Sequence, residues 1–268
     1  NKIYLDAYKQ IATPSGKRAP DVNEAIFNGV ERGALIVNYV GHGGEVGGSE
    51  ERILTNEDIL AFRNNPKLPL FVTATCEFSR FDDHTRTSAG EYVFLNPYGG
   101  AISMITTSRV TSGPSNFDLL KKIYQYMYSK TNDEYPTMGE FYYKAKQHFT
   151  YFNIKRFVFF GDPALRLNYP EYKVKVTKVS DVNFNAVDTI KSLQKVNVEG
   201  LVTDNYDNAM TDFNGKAYVM VYDKETSFTT YGDESEPKTY KARNSLIFNG
   251  KADVKNGRFS ISFTMPKD

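Results

Sequence analysis

The chain has 268 residues, 40% of them hydrophobic, which is enough for one large or two ordinary domains with a sizeable core. Lysine and arginine number 33 against 32 aspartates and glutamates, so the net charge of +1 gives no electrostatic basis for binding nucleic acid or an anionic membrane surface. The single cysteine excludes an internal disulfide framework, and no apolar run reaches the roughly 20 residues of a transmembrane segment.

The first 170 residues alternate between strand and helix patterns. Strands are predicted over residues 3–5, 34–40, 68–76, 99–106 and 157–160. Helices are predicted over residues 22–32 behind an Asp21 cap, after an N-cap at Thr55, over 90–95, after a cap at Asn116, and over 137–149. Strands spaced by helices predict an α/β fold with a mostly parallel sheet.

The second part of the chain has a different pattern. From residue 171 to 268, apolar and polar residues alternate with period two, and Asn-Gly pairs at 214–215, 249–250 and 256–257 mark turns between the runs. We therefore predict two domains, residues 1–170 and 171–268, the second a β-sandwich. The first residues read as a strand in mid-fold, so we expect a piece of a longer precursor, with part of any site upstream of Asn1.

Two predicted core strands each end in a chemically useful side chain. Residues 34–40 lead into Gly41-His42-Gly43-Gly44, and residues 68–76 end at Cys76. In an open α/β sheet, active sites lie at the carboxyl ends of the strands. Cys76 can supply a thiolate, His42 can manage its proton, and the main-chain amides of Gly43 and Cys76 can face an oxyanion. The arrangement predicts an enzyme with a cysteine nucleophile.

Each of these residues also has an ordinary structural interpretation. A lone cysteine at a strand end is usually a small buried hydrophobic residue, and a histidine among glycines is often a solvated loop residue. Asp82, Asp83 and Glu91 could bind a hard cation, but such carboxylates more often cap helices or pair with arginine. No zinc-ligand spacing or dinucleotide fingerprint is present. The paired placement of histidine and cysteine favours the enzyme.

Five short segments together resemble the gingipain family of cysteine peptidases, and within it the PorU-type members of the type IX secretion system. They are residues 39–45 (YVGHGGE), 51–54 (ERIL), 73–82 (TATCEFSRFD), 89–91 (AGE) and 160–165 (FGDPAL). The resemblance implies a caspase-like, mainly parallel sheet flanked by helices, followed by an immunoglobulin-like β-sandwich.

The resemblance also implies roles for individual residues. Cys76 would be the nucleophile and His42 the general acid or base, with the Gly43 and Cys76 amides as the oxyanion hole. Candidates for supporting or pocket residues are Glu45, Glu77, Thr107 and Ser108. No motif matches the carboxylate that orients the histidine in gingipains. The tryptophan that often follows the histidine is also missing, since residues 46–48 are Val-Gly-Gly.

The function implied by the resemblance is sortase-like processing of secreted cargo through a thioester acyl-enzyme. The implied partners are a protein or peptide substrate, other secretion components and lipopolysaccharide, at the outer-membrane cell surface or in the extracellular space. No cofactor is required, and a structural calcium ion is compatible with the family. Two alternatives stay open: a general gingipain-like surface endopeptidase, and a catalytically inactive peptidase fold used for binding.

Overall fold

The structure is a computed structural model that describes residues 2–233 and 235–267. The chain divides into two compact units that are not contiguous in sequence. Unit 1 comprises Asn1–Tyr169 and Thr230–Pro237, and unit 2 comprises Pro170–Thr229 and Lys238–Asp268. A short segment from the second half of the sequence is therefore part of the first unit.

Unit 1 contains nine strands and six helices in its described part. The strands are β1 (Ile11–Thr13), β2 (Gly16–Arg18), β3 (Ile36–Val40), β4 (Gly43–Gly44), β5 (Gly47–Gly48), β6 (Leu54–Thr55), β7 (Leu70–Ala74), β8 (Ser103–Thr107) and β9 (Phe157–Phe160). The helices are α1 (Pro20–Arg32), α2 (Asn56–Leu60), α3 (Ala89–Leu95), α4 (Gly113–Met127), α5 (Met138–Lys146) and α6 (Phe152–Lys155).

The central sheet of unit 1 has the strand order β3-β7-β8-β9. The β3–β7 and β7–β8 pairs are parallel, but β9 runs antiparallel to β8. The sheet is therefore mixed, and the prediction of a mainly parallel sheet is wrong for its last strand. The reason is that helices α4, α5 and α6 bring the chain back to the end of the sheet at which β8 finishes, since Thr107 pairs with Phe157, and a four-residue apolar run does not encode its own direction.

Helices cover both faces of this sheet. Successive side chains of β7 alternate between the faces, as strand geometry requires. Leu70 and Val72 pack with α4 and α5, whereas Phe71 packs with α1, α2 and α3. Every residue of β7 is buried, so burial of this strand anchors the segment of chain that leads to Cys76.

Several predicted element ends differ from the structure. Residues 3–5 do not form a strand, and a 3-10 turn covers Leu5–Ala7 instead. Asp21 and Asn116 do not cap helices, because α1 and α4 begin earlier, each with a proline in its first turn. The cap at Thr55 is confirmed: its side chain accepts from the Asp58 amide while Asp58 reaches back to the Thr55 amide.

Unit 2 consists of antiparallel strands. They are β10 (Lys173–Ser180), β11 (Lys195–Thr203), β12 (Gly215–Tyr222), β13 (Thr226–Thr229), β14 (Thr239–Ala242), β15 (Leu246–Val254) and β16 (Arg258–Thr264). Their sheets have the orders β10-β11-β16, β12-β15 and β13-β14. An immunoglobulin-like arrangement of these sheets stays a prediction. Across residues 2–233 and 235–267, no helix combines the length and apolar character that crossing a membrane would require.

Two loops of unit 2 have the same construction, which the sequence analysis missed. In residues 180–186 and 203–209, an aspartate, Asp181 or Asp204, accepts hydrogen bonds from main-chain amides two and four residues later. In each loop the first and last residues form an isolated antiparallel bridge. The carboxylate thus accepts the amide hydrogen bonds that main-chain carbonyls would accept in a tighter turn.

Candidate active site

His42 and Cys76 occupy equivalent positions beyond two paired strands. Strands β3 and β7 pair in parallel from Ile36 with Leu70 through Val40 with Ala74. His42 lies two residues beyond Val40, and Cys76 lies two residues beyond Ala74. The Gly41 amide still donates to the Ala74 carbonyl at 3.4 Å, so the strands stay together past their last pair. Because paired strands lie about 4.8 Å apart, the imidazole and the thiol share one edge of the sheet.

A glycine-rich hairpin carries His42. Gly43 pairs with Gly48 and Gly44 with Gly47, and the histidine is exposed just before this pairing begins. A β-carbon at Gly43 would lie 2.7 Å from Thr75 Oγ1, closer than real side chains pack. The missing side chain therefore lets the histidine hairpin lie directly against the residue that precedes the cysteine.

A network of hydroxyl groups holds the turn that presents Cys76. The Thr75 carbonyl accepts from Thr107 Oγ1 at 2.7 Å and from Thr111 Oγ1 at 2.9 Å. Glu77 adopts a left-handed conformation with φ of 48°, and its amide donates to the Arg109 carbonyl at 3.3 Å. The chain therefore turns sharply at the cysteine, leaving the thiol half-buried rather than sealed in the core.

The thiol is hydrogen-bonded to the main chain of Thr111. The Thr111 amide donates to Cys76 Sγ at 3.4 Å, and Sγ lies 3.7 Å from the Thr111 carbonyl oxygen as a donor. Within the described residues, no hydrogen bond joins the His42 imidazole to the thiol. The two groups share an edge without the contact that proton transfer requires, and catalytic hydrogen bonds are often long or unformed before substrate binds.

The two main-chain amides of this turn differ in their hydrogen bonding. Among residues 2–233 and 235–267, nothing accepts a hydrogen bond from the Cys76 amide, whereas the Glu77 amide is already used. The Gly43 amide belongs to the short strand β4. The predicted oxyanion donors are thus placed on the two chain segments that also carry the histidine and the cysteine.

Glu45 and Glu77 interact with arginines rather than with the histidine. Glu45 Oε1 lies 3.0 Å from Arg80 Nη1, its Oε2 lies 3.3 Å from Arg86 Nε, and its side chain is only 11% exposed. Glu77 lies 3.6 Å from the same Arg80. In the part of the chain that the structure describes, neither carboxylate bonds to His42. Both instead brace the loops around the site.

Thr107 and Ser108 support the site from behind. Thr107 is fully buried, and its hydroxyl is one of the two that bind the Thr75 carbonyl. Ser108 directs both its amide and its hydroxyl to the Arg156 carbonyl, at 2.9 and 3.2 Å. Thr107 therefore holds the turn that presents Cys76, and Ser108 anchors the start of the loop that contains Thr111.

The remaining acidic candidates have the ordinary roles. Asp82 pairs with Arg109, and the hydrogen bond from this guanidinium lowers the pKa of the Asp82 carboxyl. Asp83 accepts from the Thr85 amide and hydroxyl, and Glu91 forms a capping box with Ser88. The pairing with arginine is confirmed for Asp82 and the helix cap for Glu91, whereas Asp83 instead holds a turn in the loop. Over the described ranges, no group of three or more His, Cys, Asp or Glu side chains could hold a metal ion.

The sequence analysis missed two residues that contact the candidate dyad. Tyr39 donates a hydrogen bond from its hydroxyl to the His42 carbonyl, and Thr111 binds the thiol. Tyr39 was inside a segment noted only for its resemblance. The partner of Thr111 is 35 positions away in sequence, so no local pattern could identify it.

Comparison with known proteins identifies the family. The sequence profile described as peptidase family C25 matches residues 1–168. The chain belongs to this family of cysteine peptidases. Membership confirms the resemblance to gingipains that the short segments indicated. The comparison with curated proteins gave no match.

Solved structures that are similar to this C25 chain include gingipains and a PorU. The complex of the pro- and mature domains of RgpB from Porphyromonas gingivalis is 15% identical, with 92% of this chain and 51% of that chain covered and a TM-score of 0.48. Gingipain R (RGPB), described as an Arg-specific cysteine proteinase, is 16% identical over 92% of this chain and 50% of that one, with a TM-score of 0.48. Dimeric latent PorU from Porphyromonas gingivalis is 32% identical over 53% of this chain and 14% of that chain, with a TM-score of 0.35. The C25 chain thus spans about half the length of the RgpB structures and far less of PorU.

Proposed function

We propose that this chain carries the Cys/His dyad of a cysteine endopeptidase, with Cys76 as the nucleophile and His42 as the general acid and base. The observation that carries the proposal is the shared register: both residues lie two positions beyond the last pair of adjacent parallel strands. This placement brings a thiol and an imidazole to one edge of the sheet without requiring any sequence proximity. Membership of family C25 supports the same activity class.

The reaction follows from the chemistry of these groups. His42 takes the thiol proton, and Cys76 Sγ attacks the carbonyl carbon of a peptide bond. The amides of Cys76 and Gly43 donate to the oxyanion that forms. When this tetrahedral intermediate collapses, the C–N bond breaks, His42 returns the proton to the leaving amine, and a thioester remains. A second nucleophile then attacks the thioester and releases Cys76.

The thiol must leave its Thr111 contacts before this reaction can begin. These hydrogen bonds, at 3.4 and 3.7 Å, have ordinary lengths for sulfur, and rotation about the Cα–Cβ bond would break both. A thioester forms only when Sγ is directed at the substrate and is within reach of the imidazole. We therefore propose that the thiol exchanges between its Thr111 contacts and a position within reach of the imidazole, and that it attacks the substrate from the second position.

The second nucleophile decides the biological role. We propose sortase-like processing of secreted cargo at the outer-membrane cell surface, in which an amine, such as one of lipopolysaccharide, intercepts the thioester. The support is the resemblance of the motif segments to the PorU-type members of the family. Other secretion components would then be partners, and unit 2 would be an immunoglobulin-like domain following the catalytic one. A general surface endopeptidase would pass the same thioester to water.

Product analysis tests both levels of the proposal. The chain is incubated with an unfolded protein substrate in the presence and absence of a small primary amine, and the new termini are identified by mass spectrometry. Cleavage that Cys76→Ala abolishes supports the peptidase. Products joined to the amine support transfer, whereas free carboxylates alone support hydrolysis. Cleavage that continues in Cys76→Ala would overturn the assignment of the nucleophile.

A further inference from the structure

The main-chain carbonyl of His42 is held by two donors from different segments. The Ser49 amide donates to this oxygen at 2.8 Å, and the Tyr39 hydroxyl donates a hydrogen bond to the same oxygen. Tyr39 lies in strand β3, which is anchored in the sheet, while Ser49 follows the glycine hairpin. The phenol therefore connects the loop that carries the imidazole directly to the rigid part of unit 1.

The Tyr39 ring is enclosed by glycines of the same loop. A β-carbon at Gly41 would lie 2.8 Å from Tyr39 Oη, and one at Gly48 would lie 3.3 Å from Cζ. The ring also packs against the hydrophobic cluster that contains the buried side chains of Val22 and Ile53. The hydroxyl has little freedom to move, so it fixes the position of the His42 carbonyl relative to strand β3.

The phenol stays a hydrogen-bond donor over the whole range of pH in which a peptidase works. Burial raises the pKa of the Tyr39 hydroxyl well above its ordinary value, and the negative charge of Glu51 raises it further. Glu51 is itself buried and accepts a hydrogen bond from the Ser49 hydroxyl. Ser49, whose amide is the other donor to the His42 carbonyl, is therefore held in place by the buried Glu51 carboxylate.

We propose that Tyr39 is a positioning residue for catalysis: its hydroxyl sets the place of His42 relative to Cys76. The inference rests on the proposed function, because it gives His42 a catalytic task. It does not require Tyr39 to touch the substrate. Tyr39 acts through the main chain of the histidine, because its hydroxyl, near the end of strand β3, holds the His42 carbonyl.

The test uses the fact that Cys76 is the only cysteine in the chain. The rate of its alkylation by iodoacetamide at neutral pH reports whether His42 activates it. Tyr39→Phe removes one oxygen and keeps the ring. We expect the rate to fall about tenfold, which is the effect of losing one hydrogen bond of ordinary strength and some precision of placement.

The matched control is Tyr169→Phe. The Tyr169 hydroxyl also donates to a main-chain carbonyl, that of Met127 at 2.7 Å, and the Tyr169 ring is also partly buried. Its removal costs the fold a similar hydrogen bond, but it should leave the alkylation rate unchanged. Unfolding midpoints of the two variants, measured in parallel, should fall by similar small amounts.

The double variant separates positioning from a general structural effect. In the His42→Ala background, Tyr39→Phe should cause no further loss of alkylation rate, since no imidazole remains to be positioned. A loss of the same size in both backgrounds would overturn the proposal. So would a wild-type rate in Tyr39→Phe when His42→Ala is slow. If His42→Ala itself reacts like the wild type, the proposed dyad fails instead.

A second variant covers the case in which Tyr39→Phe does not fold. Gly41→Ala keeps the hydroxyl but places a methyl group 2.8 Å from it, so the phenol must shift. We expect the same direction of change in alkylation rate. The control is Gly44→Ala, where an added β-carbon meets nothing within 4 Å. Equal rates in these two alanine variants would contradict the positioning role.

Discussion

Gly43 lies directly against Thr75, so the hairpin that carries His42 contacts the turn that presents Cys76. An added β-carbon at Gly43 would be 2.7 Å from Thr75 Oγ1 and 2.9 Å from the Gly47 carbonyl oxygen. Neither neighbour is the end of a flexible side chain. The distance between the two candidate catalytic residues therefore depends on the absence of a side chain at one position.

The first prediction concerns that position. Gly43→Ala should lower the free energy of unfolding by about 1–3 kcal/mol, the usual cost of overpacking, and should slow alkylation of Cys76. Gly44→Ala should have little effect on stability, because its new methyl group would meet nothing within 4 Å. Urea unfolding of both variants provides the measurement. Equal losses would show that the close contact at Gly43 is not the cause.

The second prediction concerns the hydroxyl that supports the cysteine turn. Thr107→Val keeps the shape of the side chain but removes the donor to the Thr75 carbonyl, so stability should fall by about 1–2 kcal/mol. Thr203 is the matched control, since it is 1% exposed and its hydroxyl has no partner among the described residues. Thr203→Val should be neutral or stabilising. A larger loss at Thr203 than at Thr107 would contradict this account.

The third prediction separates two roles for Glu45. Because this carboxylate pairs with Arg80 and Arg86, Glu45→Gln should lower stability by about 1–2 kcal/mol, and less so at high salt. It should change the alkylation rate of Cys76 less than twofold, or about 0.4 kcal/mol. Glu134→Gln is the control, because its ion pair with Arg166 is exposed and should contribute little.

The outcome that would contradict the third prediction is specific. If Glu45→Gln slows alkylation as much as His42→Ala does, then Glu45 orients the imidazole, and its ion pairs with the arginines are secondary. The salt dependence of stability distinguishes the cases, because only the ion pairs are screened.

The fourth prediction concerns alkaline pH. Burial raises the pKa of Tyr124 and of Tyr169 to about 12, from an ordinary value of 10.0. Between these values the unfolded phenols lose protons that the folded ones keep. The free energy of unfolding should therefore fall as pH rises from about 10 to 12, while these two phenols contribute no pH dependence below about 9.

Ultraviolet titration measures the phenols directly. Subtracting the titration curve of Tyr169→Phe from that of the wild type should leave the titration of the Tyr169 phenol alone. This difference curve should be centred near pH 12 in the native chain and near 10 in denaturant. The fall in stability should be shallower in Tyr169→Phe. A native difference curve centred at the ordinary value would show that this ring is solvated.

The sequence predicted the parts of the site that depend on local patterns. The apolar runs before His42 and Cys76 are strands β3 and β7, and their pairing places the two residues at one edge. The direction of β9 could not be predicted, because four apolar residues fit either orientation. The contact of Thr111 with the thiol was equally inaccessible, because it arises only when the loop after β8 folds back onto the turn at Cys76.

Glu45 shows a different limit. Its position three residues after the histidine indicated a supporting role, and the structure does place it beside the site. Its partners, however, are Arg80 and Arg86, which come from the loop after the cysteine. A sequence gives the charges along the chain but does not show which opposite charges the fold will bring within 4 Å of each other.

The central claim, that His42 activates Cys76, is tested most directly by one rate comparison. Iodoacetamide alkylation of Cys76 is measured at neutral pH in the native chain, in the same chain unfolded in urea, and in native His42→Ala. We predict that the native wild type reacts about tenfold faster than its unfolded form, and that His42→Ala removes this advantage. A native thiol that reacts no faster than the unfolded one, with no change in His42→Ala, would contradict the claim.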